Sequence, residues 1–261
     1  MNSILISIPH YGSKNRKYLF ESLTELNLFK KYKLDIHIYC TDKVNFDEFD
    51  NLYITQHIFN KNIGVNLTHQ HKKLFLNHIN DYDYFMYLED DVLIKESTID
   101  SFIEEQNSLP FPFICGFLRY ELKENNQYKF LCDCHPCHSV HRNGFNVVKS
   151  NYLINNKKYF EPYNIHQASY ILTKNIFHEI SKEKYLDEYN NYVGILEGAA
   201  SNVYYNMGLI KVIPRENLDK LLIRHIPNTY VQKLNYFYTE DSTPNDIKLQ
   251  TIDLDNLIIV K

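Results

Sequence analysis

Along the first hundred residues, segments with the hydrophobic pattern of a strand alternate with segments whose apolar residues recur at helical spacing. Four apolar or alternating segments predict strands: Ile4–Ile8, Leu34–Cys40, Leu52–Thr55 and Asp83–Leu88. Two intervening segments carry apolar residues at helical spacing, which predicts helices over 15–31 and Asn66–Ile79. Repeated strand–helix–strand order predicts an α/β fold with a mainly parallel central sheet covered by helices on both faces.

The second half of the chain has a less regular pattern. Helices are predicted at Ser97–Glu105, Lys174–Lys184 and Leu196–Met207, and strands at Phe111–Tyr120, Ser169–Leu172, Leu209–Ile213 and Leu221–Ile223. Residues 121–167 and the last ~20 residues show no assignable period. Because no repeat, low-complexity tract or flexible linker interrupts the chain, we expect a single domain over residues 1–261.

Composition excludes several classes of protein. Hydrophobic residues make up 44% and the net charge is −4, which excludes intrinsic disorder and argues against a large electrostatic interface with nucleic acid. The seven glycines form neither a G-x-G-x-x-G sequence nor a P-loop, which argues against dinucleotide enzymes and P-loop NTPases. The absence of H-E-x-x-H and G-x-S-x-G argues against zinc proteases and α/β-hydrolases.

Cysteine usage and hydropathy suggest a compartment. The chain has five cysteines, and an odd number favours free thiols in a reducing cytoplasm. The apolar run Ile4–Ile8 is too short for a signal peptide, and no stretch approaches the ~20 apolar residues of a membrane span. We therefore expect a cytoplasmic protein without an integral membrane segment; the sequence leaves its oligomeric state open.

Three consecutive carboxylates, Glu89, Asp90 and Asp91, follow the strand predicted at Asp83–Leu88. A hard divalent cation relieves the repulsion between such groups and completes its shell with phosphate oxygens. In open α/β sheets ligands bind beyond the carboxyl ends of the strands, which is where these acids are predicted to lie. A solvated loop that only ends the strand is the alternative interpretation.

The segment Tyr84–Val92 resembles the DxD turn of GT-A-fold glycosyltransferases, which transfer a sugar from a nucleotide-sugar donor. The first acid is Glu89, so the turn is an E-D-D variant that some members carry. The family's opening strand and nucleotide loop are similar to Ile4–Pro9 followed by Tyr11, Asn15, Arg16, Tyr18 and Leu19. The segment that leads into the helix before the DxD strand is similar to Asn62–Thr68. The resemblance covers about residues 3–230, and the acidic turn is its specific part.

The resemblance implies roles for individual residues. Asp91 and His225 would ligate Mn²⁺ or Mg²⁺, and Glu197 would be the catalytic base of an inverting enzyme. Alternatively, Glu197 is a helix-start acid and His225 a structural histidine. The nucleotide-sugar would contact Pro9, Tyr11, Arg16, Glu89 and Asp90.

The resemblance thus implies a metal-dependent glycosyltransferase that moves a sugar, with a UDP-sugar as the expected donor, to the hydroxyl of a carbohydrate or other acceptor. Within one GT-A-like domain, 1–95 would bind the nucleotide-sugar, 96–235 would bind the acceptor, and 236–261 would form a tail. Two alternatives are a nucleotidyltransferase of similar architecture and a non-catalytic sugar-binding relative. Nucleotidyltransferases usually carry a glycine-rich loop near the N-terminus, where this chain has Gly12 alone.

A cysteine–histidine cluster lies in the unassigned region. Its donors suit zinc: Cys132, Cys134, His135, Cys137, His138 and His141. The donors are packed too closely for one loop to wrap an ion tetrahedrally, so we expect a loop with free thiols, and structural zinc and redox chemistry remain alternatives.

Three other histidines and three tyrosines are assigned to packing, to the surface or to ring stacking. His69, His71 and His78 are expected to be packing or surface residues rather than ligands. Three tyrosines are candidates for stacking on a base or sugar ring: Tyr11, Tyr163 and Tyr170.

Overall fold

The structure is a computed structural model that describes residues 1–123, 128–132, 148–180, 182–186, 194–230 and 257–260. The chain divides into two compact units. The first unit comprises Met1–Glu96 and His166–Leu209, and the second unit comprises Ser97–Ile165 and Ile210–Lys261. The single-domain organisation stays a prediction.

The elements follow one another as strands, helices and short 3₁₀ helices. The strands are β1 (Asn2–His10), β2 (Tyr32–Cys40), β3 (Tyr53–Ile58), β4 (Tyr84–Leu88), β5 (Val92–Leu93), β6 (Phe113–Cys115), β7 (Leu118–Lys123), β8 (Tyr128–Leu131), β9 (Val148–Ile154), β10 (Lys157–Pro162), β11 (Ser169–Thr173), β12 (Ile210–Pro214), β13 (Leu222–His225) and β14 (Leu257–Val260). The α-helices are α1 (Arg16–Leu26), α2 (His71–Asn77), α3 (Glu96–Gln106), α4 (Lys174–Glu179), α5 (Lys182–Leu186) and α6 (Ile195–Tyr205). The 3₁₀ helices are Asp47–Phe49, Lys61–His69 and Leu218–Leu221.

The first unit is built on a five-stranded sheet in the order β11-β4-β1-β2-β3. Strand β1 pairs in parallel with β2 and β4, and β2 pairs in parallel with β3. The edge strand β11 is antiparallel to β4. Every residue from Ile4 to His10 is buried, so both faces of the sheet are covered at β1. The predicted α/β class with a mainly parallel central sheet is confirmed.

Two predicted helices differ from the structure. The segment predicted as one helix over Asn66–Ile79 is divided between the 3₁₀ helix Lys61–His69 and α2. Apolar residues three or four positions apart suit both helix types, so periodicity does not separate them. The helix predicted over Lys174–Lys184 is two short helices, because Ile180 is extended at the end of α4 (φ −77°, ψ 152°).

The second unit contains two further groups of paired strands. One sheet has the order β14-β9-β10-β12-β6, and in the other group β7 pairs in parallel with β13 and antiparallel with β8. The single strand predicted at Phe111–Tyr120 is therefore wrong, since it forms β6 and β7 in different sheets. An apolar run gives no sign of where a chain changes sheets.

An aromatic cluster fills the core of the first unit beside β4. The Tyr170 ring stacks on Tyr87 with centroids 5.8 Å apart, and its hydroxyl shares a 2.9 Å hydrogen bond with Tyr185. Tyr170 is fully buried, so the prediction that it could stack on a ligand is wrong. His71 packs against the same rings, where burial lowers its pKa, which confirms it as a packing residue.

Membrane insertion by a helix finds no support in the described part of the chain. No helix there combines the length and the apolar character needed to cross a bilayer. The cytoplasmic location stays a prediction.

Candidate functional site

The register of two parallel strands positions the acidic turn. Strand β1 pairs with β4 so that Ser7 lies opposite Tyr87, and the same offset brings His10 beside Asp90. The two side chains meet at the carboxyl edge of the sheet, with His10 Nδ1 2.6 Å from Asp90 Oδ2. The acidic turn is therefore fixed to the strand end next to it.

A cleft with a volume of about 510 Å³ opens at this edge. Its lining comes from the end of β1 and the loop after it, from the 3₁₀ helix, from the acidic turn and from the start of α6. The lining residues are Pro9, Tyr11, Asn15, Gly64, Val65, Leu67, Thr68, Glu89, Asp90, Asp91 and Leu196. The structure thus brings together five residues to which the resemblance gave donor or cation contacts: Pro9, Tyr11, Glu89, Asp90 and Asp91. The contacts themselves stay predictions.

The three carboxylates have different surroundings. Asp90 is only 8% exposed, and besides its contact with His10 it accepts a 3.2 Å hydrogen bond from Asn15 Nδ2. Glu89 and Asp91 flank it and are half-buried at the cleft. Asp90 therefore anchors the turn to the protein, and the two flanking carboxylates lie beside the space where a ligand would bind.

Burial dominates the electrostatics of Asp90. Its pKa is raised because the carboxylate is removed from water, and the nearby charge of Asp91 adds to this. Hydrogen bonds from His10 and Asn15 oppose the increase in pKa without cancelling it. Burial raises the pKa of the Tyr87 hydroxyl well above its usual value, and the nearby charges of the three carboxylates add to this increase.

Asp90 should give the stability of the protein a pH dependence. Because its pKa is raised in the folded chain, its contribution to stability is present below the unfolded value of 3.8 and is lost as pH rises through the folded pKa. We expect the free energy of unfolding of the parent to fall relative to that of Asp90→Asn as pH rises above about 4. Denaturant unfolding of both proteins at a series of pH values from about 4 upward measures this. A free energy of unfolding of the parent that stays constant or rises relative to that of the variant would contradict the assignment.

Tyr11 and Gly64 shape one wall of the cleft. Tyr11 is 51% exposed, and its hydroxyl donates a 3.1 Å hydrogen bond to the carbonyl oxygen of Lys61, which fixes the ring direction. Gly64 has φ +55° and ψ −136° and interrupts the 3₁₀ helix. Residues with a side chain rarely adopt this backbone conformation, so the position favours glycine.

The start of α6 closes another side of the cleft. The ring Nε2 of His69 donates a 2.7 Å hydrogen bond to the carbonyl oxygen of Ile195, which ties α6 to the 3₁₀ helix. The next residue, Leu196, is exposed and lines the cleft. His69 is therefore a structural histidine.

Glu197 occupies the third position of α6, after the N-cap residue Gly194. It is exposed, and the described lining of the cleft includes its neighbour Leu196 rather than Glu197 itself. One carboxylate oxygen lies 2.5 Å from the point that a Cβ on Gly194 would occupy. The side chain thus folds back over the start of the helix. The role of Glu197 as a base stays a prediction.

Arg16 lies at a different pocket. That pocket has a volume of about 440 Å³ and is also lined by Phe20, Val44, Asn45, Asp47 and Glu48. Helix α1 begins at Arg16, and Asn15 just before it is the residue that reaches the acidic turn. A contact between Arg16 and a nucleotide stays a prediction.

Sequence reasoning missed several residues of this site. His10 had a detectable signal, because parallel strands that end at the same sheet edge place it near the acids. The contribution of Leu196 depends on the His69–Ile195 hydrogen bond, which spans 126 positions, and had no signal in the sequence.

His225 belongs to the second unit, at the end of β13. Its Nδ1 lies 2.6 Å from Oε1 of Glu121, and the same oxygen accepts a 3.1 Å hydrogen bond from the backbone N–H of Tyr230. Its role at the acidic turn stays a prediction. Five members of the cysteine–histidine cluster lie outside the described residues: Cys134, His135, Cys137, His138 and His141.

Comparison with known proteins gives similarity at the level of solved structures. No family model and no curated protein matches the chain. A fragment of S. aureus TarS, residues 1–349, is 14% identical with a TM-score of 0.44 over 87% of this chain and 61% of the fragment. TarS itself has the same identity and a TM-score of 0.42, over 82% of this chain and 35% of TarS. An active-site variant of LgtC is 11% identical with a TM-score of 0.42, over 80% of this chain and 71% of LgtC.

The chain spans between about a third and three fifths of the TarS chains that it resembles. At these identities and TM-scores the similarity assigns neither an activity nor a residue role to this chain.

Proposed function

We propose that this chain is a metal-dependent glycosyltransferase that moves a sugar from a UDP-sugar to an acceptor hydroxyl with inversion of configuration. The observation that carries the proposal is the cleft at the carboxyl edge of the parallel strands β1 and β4, with three carboxylates in its lining. Its volume of about 510 Å³ lies within the range of small-molecule sites. The reaction class, sugar transfer from a nucleotide-sugar, is proposed from the resemblance of Tyr84–Val92 to the DxD turn.

The residues at the cleft fit a hard divalent cation. Glu89 and Asp91 offer half-buried carboxylates at the lining of the cleft, and carboxylates are the donors that Mg²⁺ and Mn²⁺ prefer. We assign Asp91 as the ligand, with Glu89 directed at the donor's ribose or at the cation through water. A bound cation would act as a Lewis acid that stabilises the departing diphosphate.

The remaining residues of the cleft bind and orient the donor. Asp90 holds the turn against His10 and Asn15, so that its neighbours keep a fixed direction. The exposed ring of Tyr11 offers a flat apolar surface on which a base or sugar ring can stack. Pro9, near the end of β1, contributes to the lining of the cleft. This division of roles accounts for one buried and two half-buried acids in a single turn.

The acceptor hydroxyl must lose a proton as it attacks, and Glu197 is the proposed base. Its position in the first turn of α6 favours the ionised carboxylate through the helix dipole. To act as a base, the Glu197 side chain must swing away from Gly194. Gly194 has no side chain, so it does not obstruct this rotation.

A panel of nucleotide-sugars, with and without Mn²⁺, tests the proposal. We expect a UDP-sugar with Mn²⁺ to raise the melting temperature, because a ligand at 100 times its Kd adds about 2.7 kcal/mol to the free energy of unfolding. We also expect transfer or hydrolysis of that donor only when the metal is present. Product analysis by mass spectrometry and NMR identifies the reaction.

Three outcomes would contradict the proposal. No thermal shift with any nucleoside diphosphate and any divalent cation would exclude a donor site. Release of pyrophosphate from a nucleoside triphosphate and a sugar phosphate would identify a nucleotidyltransferase. Tight binding of a nucleotide-sugar without hydrolysis or transfer to any acceptor class would identify a non-catalytic relative.

A further inference from the structure

Strands β7 and β13 and the residue after β8 bring a carboxylate, an imidazole and a thiol together in the second unit. Arg224 of β13 lies opposite Tyr120 of β7, so the next pair along the two parallel strands is His225 and Glu121. The 2.6 Å distance between His225 Nδ1 and Glu121 Oε1 agrees with this register. The two side chains therefore face the same side of the sheet as direct neighbours.

Cys132, the residue after β8, joins this pair. In the antiparallel pairing of β7 with β8, Leu131 lies opposite Tyr120, so Cys132 falls beside Arg119, two positions from Glu121. Residues two positions apart in a strand face the same side, which places the thiol diagonal to the carboxylate. One donor atom from each of Glu121, Cys132 and His225 lies within 4.8 Å of the others.

All three side chains are deeply buried. Glu121 and Cys132 are 0% exposed and His225 is 6% exposed. Ionised groups removed from water need a charged partner, because burial without one is costly. One Zn²⁺ with one thiolate and one carboxylate is electrically neutral, which suits this environment.

The kinds of donor identify the metal. Thiolate, imidazole and carboxylate are the three side-chain ligands of zinc, and a thiolate disfavours magnesium and manganese. Zinc–ligand bonds of about 2.0–2.3 Å put tetrahedral donor atoms roughly 3.3–3.8 Å apart. The observed limit of 4.8 Å needs only small side-chain rotations to reach this arrangement.

We propose that Glu121, Cys132 and His225 hold a Zn²⁺ ion that joins β7, β13 and the residue after β8. The fourth position is left for water or a further donor. The ion would stabilise the pairing of β7 with β13, two strands that are distant in sequence. The assignment gives His225 to zinc rather than to the cation at the acidic turn, and it does not depend on glycosyl transfer.

Elemental analysis of protein purified without added metal tests the site. We expect one zinc per chain in the parent and a loss of zinc affinity of more than about 100-fold in Cys132→Ser, beyond the usual effect of losing an outer partner. Cys115→Ser is the matched control, since Cys115 is also a buried cysteine of the second unit but lies in β6 and is not one of the three grouped donors. This control should keep its zinc.

Substitution of zinc by cobalt tests directly whether the Cys132 thiolate is a metal ligand. Parent protein stripped with a chelator and loaded with Co²⁺ should show a thiolate-to-cobalt charge-transfer band, which Cys132→Ser should lose and Cys115→Ser should keep. Chelation should also lower the melting temperature of the parent. Glu121→Gln, which keeps the side-chain size, is the second variant if Cys132→Ser does not fold, and it too should lose zinc affinity.

Two results would overturn the proposal. The first is parent protein that carries no zinc and gives no charge-transfer band with cobalt. The second is zinc that survives Cys132→Ser or, where that variant does not fold, Glu121→Gln. Neither result depends on turnover of a nucleotide-sugar, so the proposed enzymatic function stands or falls separately.

Discussion

The Asp91→Asn variant should lose the Mn²⁺-dependent binding of a UDP-sugar while it keeps the stability of the parent. Asn has the size of Asp and retains one oxygen, but it lacks the negative charge that holds a hard cation. Unit charges 4 Å apart near a protein surface attract by about 4 kcal/mol, so we expect a weakening on the order of 10²–10³-fold. Isothermal titration of Mn²⁺ in the presence of UDP measures the change.

Asp81→Asn is the matched control for this experiment. Asp81 precedes β4 and Asp91 follows it, so the same substitution is made beyond opposite ends of one strand. Asp81 is exposed and pairs with His78, far from the lining of the cleft. The control should bind donor and metal as the parent does. If Asp91→Asn also binds them with parental affinity, Asp91 is not a metal ligand.

The Glu197→Gln variant should bind donor and metal normally but turn over more slowly by a factor on the order of 10²–10⁴, the usual effect of losing a general base. Gln has the size of Glu, and Glu197 is exposed, so the start of α6 should stay intact. A purely structural role for Glu197 therefore predicts no change in kcat, and the proposed catalytic role predicts a large one.

Two further measurements complete this test. Glu183→Gln replaces an exposed acid in the first turn of α5, in the same unit, and should leave kcat unchanged. NMR of the product should show inversion at the anomeric carbon, as direct displacement requires. Near-normal turnover in Glu197→Gln together with retention of configuration would contradict the assignment, and Asp187 and Glu188, which lie outside the described residues, would be the next acids to replace.

Local pattern was sufficient for the parallel part of the first sheet. The apolar run Ile4–Ile8 and the alternation Leu34–Cys40 predicted β1 and β2 to within two residues at either end. The abrupt change from Leu88 to Glu89 marked the end of β4 and placed the acids at the sheet edge. These features can be predicted from the sequence because the burial of a strand is reflected in the hydrophobic pattern of the strand's own residues.

The pairing of strands that are distant in the chain could not be predicted from the sequence. The strand predicted at Ser169–Leu172 exists as β11, but its antiparallel pairing with β4 is a property of the assembled sheet. The division of Phe111–Tyr120 into β6 and β7 likewise depends on which strands each half pairs with. Apolar content favours burial, and it does not say against which partner.

The sequence by itself determined the α/β class and the presence of an acidic turn beyond a buried strand. Only the tertiary structure decided what each acid does, because the register of β1 against β4 buries Asp90 on His10 and leaves Glu89 and Asp91 at the cleft. It also decided that His225 meets Glu121, 104 positions away. Hydrophobic period is a local property of the chain, whereas register and burial depend on contacts between segments far apart in sequence.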